Sequence, residues 1–466
     1  MSQTSTERLK DYLAQLPPQA QALLMREFER AVERGEDVGV ATFVLTQLRK
    51  VARGSSEDEP PRTDDPARLL FRPLDPFLVE SNSSVRPGQI HRASLLPVWQ
   101  WLVRDGAPDE ARHFETALKQ APKSAKTSDL DGPTRQLQLA AVEAIDKIAA
   151  IESEDVRHRA FARIGGPLVV ADLLPIRAVL QAREALDTLN ERLPGYLRAF
   201  ADSQIASISN LIDVPALQTQ QVLPFALSLV MQRLSASWQI IRLAIKVAGS
   251  DEEIRVAATP FGVAVTMAIH DLASVAAGLG ADIKRGRFDR GRDHLKILHD
   301  GVRGLRTELD IRNDSAWGRQ LAAIRVDISS TLQSEIDSVP GRVRRLLRQR
   351  PDKDISAKTR IDAGDVDETA ALIDFVAVCR NYASELAINE VTLRTYSDLQ
   401  HYVEQSTKTL VHALRGGDAR TRTFRQTQVK AAIRFCDVLF GADYAALMNR
   451  AVENALADEQ KSVRAG

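Results

Sequence analysis

The chain has 466 residues and carries Lys plus Arg equal to Asp plus Glu, at 62 each. That length exceeds what one hydrophobic core of roughly 250–300 residues usually fills, and a net charge near zero lacks the broad positive field of a general nucleic-acid or acidic-membrane binder. Hydrophobic residues make up 44% but aromatics only 5%, with Ala, Leu and Arg recurring, which argues against a sheet-rich domain and for an all-α fold.

The cations are 48 Arg and 14 Lys, an Arg-rich and Ala-rich usage of the kind that a high-GC bacterial genome gives. Cys379 and Cys436 sit in apolar helical stretches and are read as buried free thiols, not as a disulfide or a zinc site. The N-terminus becomes charged at Glu7 and Arg8 without a signal-peptide core. A soluble protein of a reducing cytoplasm is therefore expected, with no cofactor.

Residues 1–53 are expected to form a small helical unit. Ser5 can cap a first helix that Pro17-Pro18 ends, Leu23, Leu24, Phe28 and Val32 fall at helical spacing, and Gly35 suits a helix C-terminus. Residues 54–66 then read as a flexible linker, rich in acids, Gly, Ser and Pro. Within the remainder of that segment, to residue 92, Leu69, Leu70, Phe71, Leu74, Phe77, Leu78 and Val79 are broken by Pro73 and Pro76. This stretch is too apolar for a free tail and too proline-broken for a helix. It is expected to lie extended along a groove of the main body or to dock onto a protein partner, with Phe71, Leu74, Phe77 and Leu78 as the docking residues.

A main helical body is expected over 93–349, entered by a helix with Ser94 as its cap and carrying Val98, Trp99, Leu102 and Val103. Pro175 and Pro224 fall in apolar stretches, where kinks or helix starts are expected. Residues 255–284 are apolar and long enough to span a bilayer. Asp271, however, would sit near the midplane at a cost of about 2.5–3.5 kcal/mol, so the segment is read as a buried core helix and no transmembrane span is expected. The clearest period follows: Leu295, Leu298, Val302, Leu305 and Leu309 form one seam, and Trp317, Leu321, Ile324, Ile328 and Leu332 form a second. With the turn at Asn313-Asp314-Ser315, these predict an antiparallel helical hairpin over about 291–339, its seams free to pair with each other, with other core helices or across a homo-oligomer. A second linker is expected at 350–366 and a C-terminal helical unit over 367–466.

Candidate chemistry is sparse. Two His-Asp dipeptides, His270-Asp271 and His299-Asp300, have the residue types that hold activating metals in helical phosphohydrolases, provided that ligands from different helices converge. The bland alternative is hydrogen-bonded core polars. Glu110 and His113, and likewise Asp155 and His158, have the spacing of di-iron helices but lie among charges that suggest a solvated face. Arg342, Arg344, Arg345, Arg348 and Arg350 put a basic stripe beside the apolar Val343, Leu346 and Leu347, a pattern suited to anions or to the surface of a membrane. Two further basic clusters lie around Phe288 and around Gly416-Gly417. No P-loop, dinucleotide fingerprint or nucleophile elbow is present. The leading expectation is a non-enzymatic adaptor or scaffold for an unidentified protein partner; the alternatives are a metal-dependent phosphohydrolase and an anion-binding protein.

Overall fold

The computed structural model describes Leu24, Phe28 and Val44 and residues 65–80, 85–121, 127–351, 354–355, 359–386, 388–414 and 419–465. Apart from Leu24, Phe28 and Val44, the expected N-terminal unit lies outside the described residues, as does nearly all of the 54–66 linker. The fold is all-α: among the described residues the only strands are β1 (Leu78–Val79) and β2 (Ile90–His91), a parallel pair of two residues each. The chain divides into two compact units. One takes in the described residues to Ala199 together with Ala206–Ser235, and the other takes in Phe200–Ile205 and the described residues from Ala236 onward.

The first unit begins where the sequence appeared least helical. Pro66 and Pro73 stand at the first turn of α1 (Pro66–Phe71) and of a 3-10 turn (Arg72–Phe77), where no backbone donor is required. Asp65 caps α1 by accepting from the Ala67 N–H at 3.0 Å. The expectation of an extended docking segment is thereby corrected. Phe71, Leu74 and Phe77 are buried in the unit's own core and Leu78 is half-buried in β1, so the partner motif expected there is covered from within. The Phe77 ring meets Phe225 edge-on at 5.0 Å.

After β2 come α2 (Leu95–Trp101), a π-helical turn (Leu102–Gly106), α3 (Pro108–Gln120), α4 (Asp131–Ala149), α5 (Glu154–Ile164), α6 (Pro167–Gln181) and α7 (Arg183–Arg192). Pro175 lies inside α6. The division between the units runs through α8 (Asp202–Ile212), and α9 (Leu223–Met231) starts with Pro224 in its first turn. Ser94 is not the cap that its position suggested. Its own backbone is helical, and its hydroxyl donates to Asp172 of α6 at 2.6 Å. The same carboxylate oxygen accepts from the His91 backbone N–H at 3.1 Å and pairs with His91 Nδ1 at 2.9 Å. One buried aspartate thus fastens β2 and the following turn to α6.

A second anchor lies just upstream. Arg86 donates to Ser228 Oγ at 2.8 Å, and Ser228 donates to the Gly88 carbonyl at 3.0 Å. Gly88 has φ +80°, and a Cβ there would come within 2.3 Å of the Pro224 carbonyl oxygen. Only glycine fits this turn against α9.

The second unit contains α10 (Ile241–Ala248), α11 (Glu253–Ala257), α12 (Val263–Lys284), α13 (Phe288–Glu308), α14 (Ala316–Leu347), α15 (Ala363–Tyr382), α16 (Asn389–Ala413), α17 (Ala419–Phe440) and α18 (Ala442–Ala465). Of the expected seam residues, Leu295, Leu298, Val302, Leu305, Leu309, Leu321, Ile324, Ile328 and Leu332 are buried and Trp317 is half-buried. Ser315 caps α14, accepting from the Gly318 N–H at 2.9 Å. The two seams do not pair chiefly with each other, as the expected hairpin would have them do: α13 packs chiefly on α12 and α15, and α14 chiefly on α16 and α12, with α15 and α17 also against it. Gly301 lets α13 come close to α12, since a Cβ there would meet Leu272 Cδ2 at 2.4 Å.

Residues 350–366 do not separate two bodies here. Phe375 of α15 packs its ring 5.6 Å from Phe288 of α13. The buried Gln428 of α17 donates to the carbonyls of Leu346 and Arg348, both at 2.9 Å, and so caps the end of α14. The compact unit runs through the expected linker.

Cys379 and Cys436 are buried, as their apolar surroundings implied. Burial pushes both thiols up, and the Thr407 hydroxyl beside Cys436 only partly opposes this. The folded protein is expected to leave both thiols unreacted with a thiol-exchange dye at about pH 8, and to release two equivalents of colour once unfolded. Fast titration of either thiol in the native protein would contradict this burial.

Candidate functional site

The His-Asp pairs lie on neighbouring helices but do not build a metal centre. His270 and Asp271 are half-buried in α12. On α13, His299 Nδ1 pairs with its neighbour Asp300 at 3.0 Å, and its ring leans on Tyr382 at 5.0 Å. Among the described residues no three His, Cys, Asp or Glu side chains converge as metal donors. Glu110, His113, Asp155 and His158 are all exposed, on the solvated faces that their charged neighbours suggested.

The basic stripe at the end of α14 is largely engaged within its own unit. Arg342 pairs with Glu368, and Arg345 lies 4.0 Å from Asp365. Arg344 stands over the Tyr402 ring at 5.8 Å, and Arg350 over Phe424 at 5.6 Å. Arg348 ends the helix, and its carbonyl takes one of the Gln428 bonds. Around Phe288 the pattern is similar: Phe288 is buried, Arg287 pairs with Asp282 at 2.5 Å, and Arg292 with Asp374 at 2.5 Å. Arg415 and Arg420 of the third cluster lie outside the described side chains. Cations with internal partners of this kind contribute to anchoring helices, and an external phosphate would have to compete for them.

The surface that stands out is a groove on the apolar helix itself. The sequence of α12 sorts its residues by size. Val265, Ile269, Leu272, Leu279 and Ile283 face the core, and small residues take the opposite side. Ala273, Ala277 and Ala281 recur every fourth position and are exposed; Ala276 and Gly280 flank them half-buried. On α14, Ile324, Asp327 and Thr331 form the facing wall. Together these residues line an open groove of about 390 Å³. Lys284 and Asp327 place one charge of each sign on its rim.

The helix that carries this groove is the one described helix long and apolar enough by itself to cross a membrane, and less than half of its most apolar window is buried. Its packing ties it into the second unit. Asp282, buried near its C-terminal end, accepts from Arg287, and Trp317 of α14 donates to Thr266 Oγ1 at 3.1 Å. Sequence reasoning identified this stretch as a core helix and missed its uncovered side. The four-residue recurrence of alanine was the available signal.

No family model, curated protein or solved structure matches the chain.

Proposed function

We propose that the chain is a non-enzymatic adaptor whose α12–α14 groove receives a helix of a protein partner. The observation that supports this reading is the exposed Ala273-Ala277-Ala281 ridge, with Ala276 and Gly280 beside it, on the most apolar helix of the second unit. Small side chains let two helix backbones approach closely, and helix axes separate by as little as about 8 Å only where the contact residues are small. An apolar surface left in water on a long helix is a characteristic of interaction sites. An amphipathic helix laid into such a groove would bury its apolar stripe against the alanines. Lys284 and Asp327 on the rim would set its direction by charge.

The reading is tested by replacing Ala277 with Glu and comparing capture from the native cell with that of a control, Arg112→Glu on the exposed face of α3. The adaptor reading expects the groove variant to keep its helical circular dichroism and lose a captured protein that the control retains. Charge and bulk at the centre of a helix-in-groove contact should weaken it by about 2 kcal/mol or more, roughly thirtyfold in affinity. Equal capture by both variants would sink the reading. Sedimentation of the purified chain separates a second copy from a foreign partner as the occupant, because only self-association would be concentration-dependent and abolished by the same substitution.

A further inference from the structure

A second concave site, independent of the groove, lies wholly within the first unit. The 3-10 turn Arg72–Phe77, the start of α4 and the outer face of α7 enclose a cavity of about 420 Å³. Its size falls within the range of small-molecule sites. Leu69, Pro73 and Pro76 give it an apolar wall.

The floor is fixed by hydrogen bonds. Arg183 donates to Gln138 Oε1 at 3.1 Å, to Asp131 at 2.9 Å and to Asp187 at 3.4 Å. The fully buried Gln138 in turn donates to the Leu70 carbonyl at 2.9 Å. Arg183 is therefore held by the scaffold and positions Asp187. Burial holds the Asp187 carboxyl above the usual carboxylate range; Arg183 opposes this, Glu191 one turn along α7 adds to it, and Arg72 across the cavity also opposes it. Two carboxylates side by side on one helix face favour a cation between them.

The remaining charges are what distinguish this cavity. Arg72 and Glu191 both line it, yet they do not pair with each other, and neither makes a side-chain ion pair with any other described residue. Opposite charges that share one small cavity, with Arg72 near enough to act on Asp187 but in direct ion pair with no described residue, are a matched set for a ligand carrying both signs. A carboxylate can accept two parallel bonds from a guanidinium, and an ammonium can donate to two carboxylates.

We propose that this cavity binds a small ammonium–carboxylate zwitterion of the α-amino-acid class, with Arg72 on the ligand carboxylate and Glu191 and Asp187 on its ammonium. The apolar wall of Leu69, Pro73 and Pro76 then faces the ligand side chain.

The test uses the full chain in calorimetric titration with each proteinogenic L-α-amino acid in turn. For any that binds, its N-acetyl and its carboxamide derivatives follow. The proposal expects at least one amino acid to bind, and each derivative to bind about tenfold more weakly, the effect of losing one charge-assisted contact. Arg72→Met and Glu191→Gln should each weaken the parent by a similar factor. Both side chains are exposed, so their circular dichroism is expected to match the wild type; were one of them to fail to fold, the derivative series alone decides. Absence of binding by every amino acid overturns the proposal. So does a carboxamide that binds as well as its parent, which would leave a simple cation site, or an N-acetyl derivative that does so, which would leave a simple anion site.

Discussion

Asp172→Ala is expected to destabilise the first unit by about 3–5 kcal/mol, the range found when one member of a buried charged or hydrogen-bonded set is removed. One oxygen of this carboxylate receives Ser94 Oγ at 2.6 Å, His91 Nδ1 at 2.9 Å and the His91 backbone N–H at 3.1 Å. The carboxylate, the imidazole and the hydroxyl are each less than a tenth exposed. Alanine would leave all three donors facing apolar surroundings, and each buried polar group deprived of a partner costs about 1–3 kcal/mol. Asp172→Asn keeps an acceptor of similar shape and should cost clearly less. Urea unfolding followed by the fluorescence of Trp99 and Trp101, with Trp238 and Trp317 replaced by Phe, reads both variants. A loss below about 1 kcal/mol for the alanine variant would mean that water or rearranged side chains replace the carboxylate, against the burial seen here.

Phe375→Ala is the second large effect, at about 3–5 kcal/mol for a phenylalanine truncated in a packed core. The ring is 1% exposed and rests against Phe288 of α13. The location of the loss matters more than its size. Phe375 lies beyond the 350–366 segment and Phe288 before it, so their contact joins what the sequence separated. In a background with Trp99 and Trp101 replaced by Phe, tryptophan fluorescence reports on Trp238 and Trp317, both before the segment, while helical circular dichroism includes α15 to α18. In the wild type and the variant, the two signals attributable to the second unit should shift together. An unshifted tryptophan transition beside a lowered helical one would instead establish residues 367–466 as a separately folding unit.

How much of this could be read from the chain follows from the range of the signals. Seam residues such as Leu298 and Leu332 announce themselves because helical burial repeats every three to four positions, a local property. Their packing partners are non-local: nothing in the seam spacing says that α13 packs chiefly on α12 and α15, or α14 on α16 and α12. The 67–92 segment failed for a specific reason. Pro73 and Pro76 read as helix breakers in the sequence, whereas Pro73 stands in a first turn, where proline starts a helix, and Pro76 lies within the same 3-10 turn. Ser94 was assigned to a cap by its place before an apolar run, and its hydroxyl instead joins Asp172 seventy-eight positions away. The basic stripe of α14 was legible as a stripe, but the acids and rings that engage it lie on α15, α16 and α17. In the first unit, Arg72 and Glu191 carried no pattern at all. Their juxtaposition exists only once α7 folds back beside the turn that precedes β1.

The adaptor reading is tested most directly by a photo-crosslinking amino acid placed at position 277 in the living source cell, with the same group at exposed position 112 as control. The account predicts an irradiation-dependent adduct of defined mass at 277 that is missing at 112 and that disappears when Ala273 and Ala281 are changed to Glu. No adduct at 277, or the same adducts at both positions, would contradict a helix-receiving groove on α12.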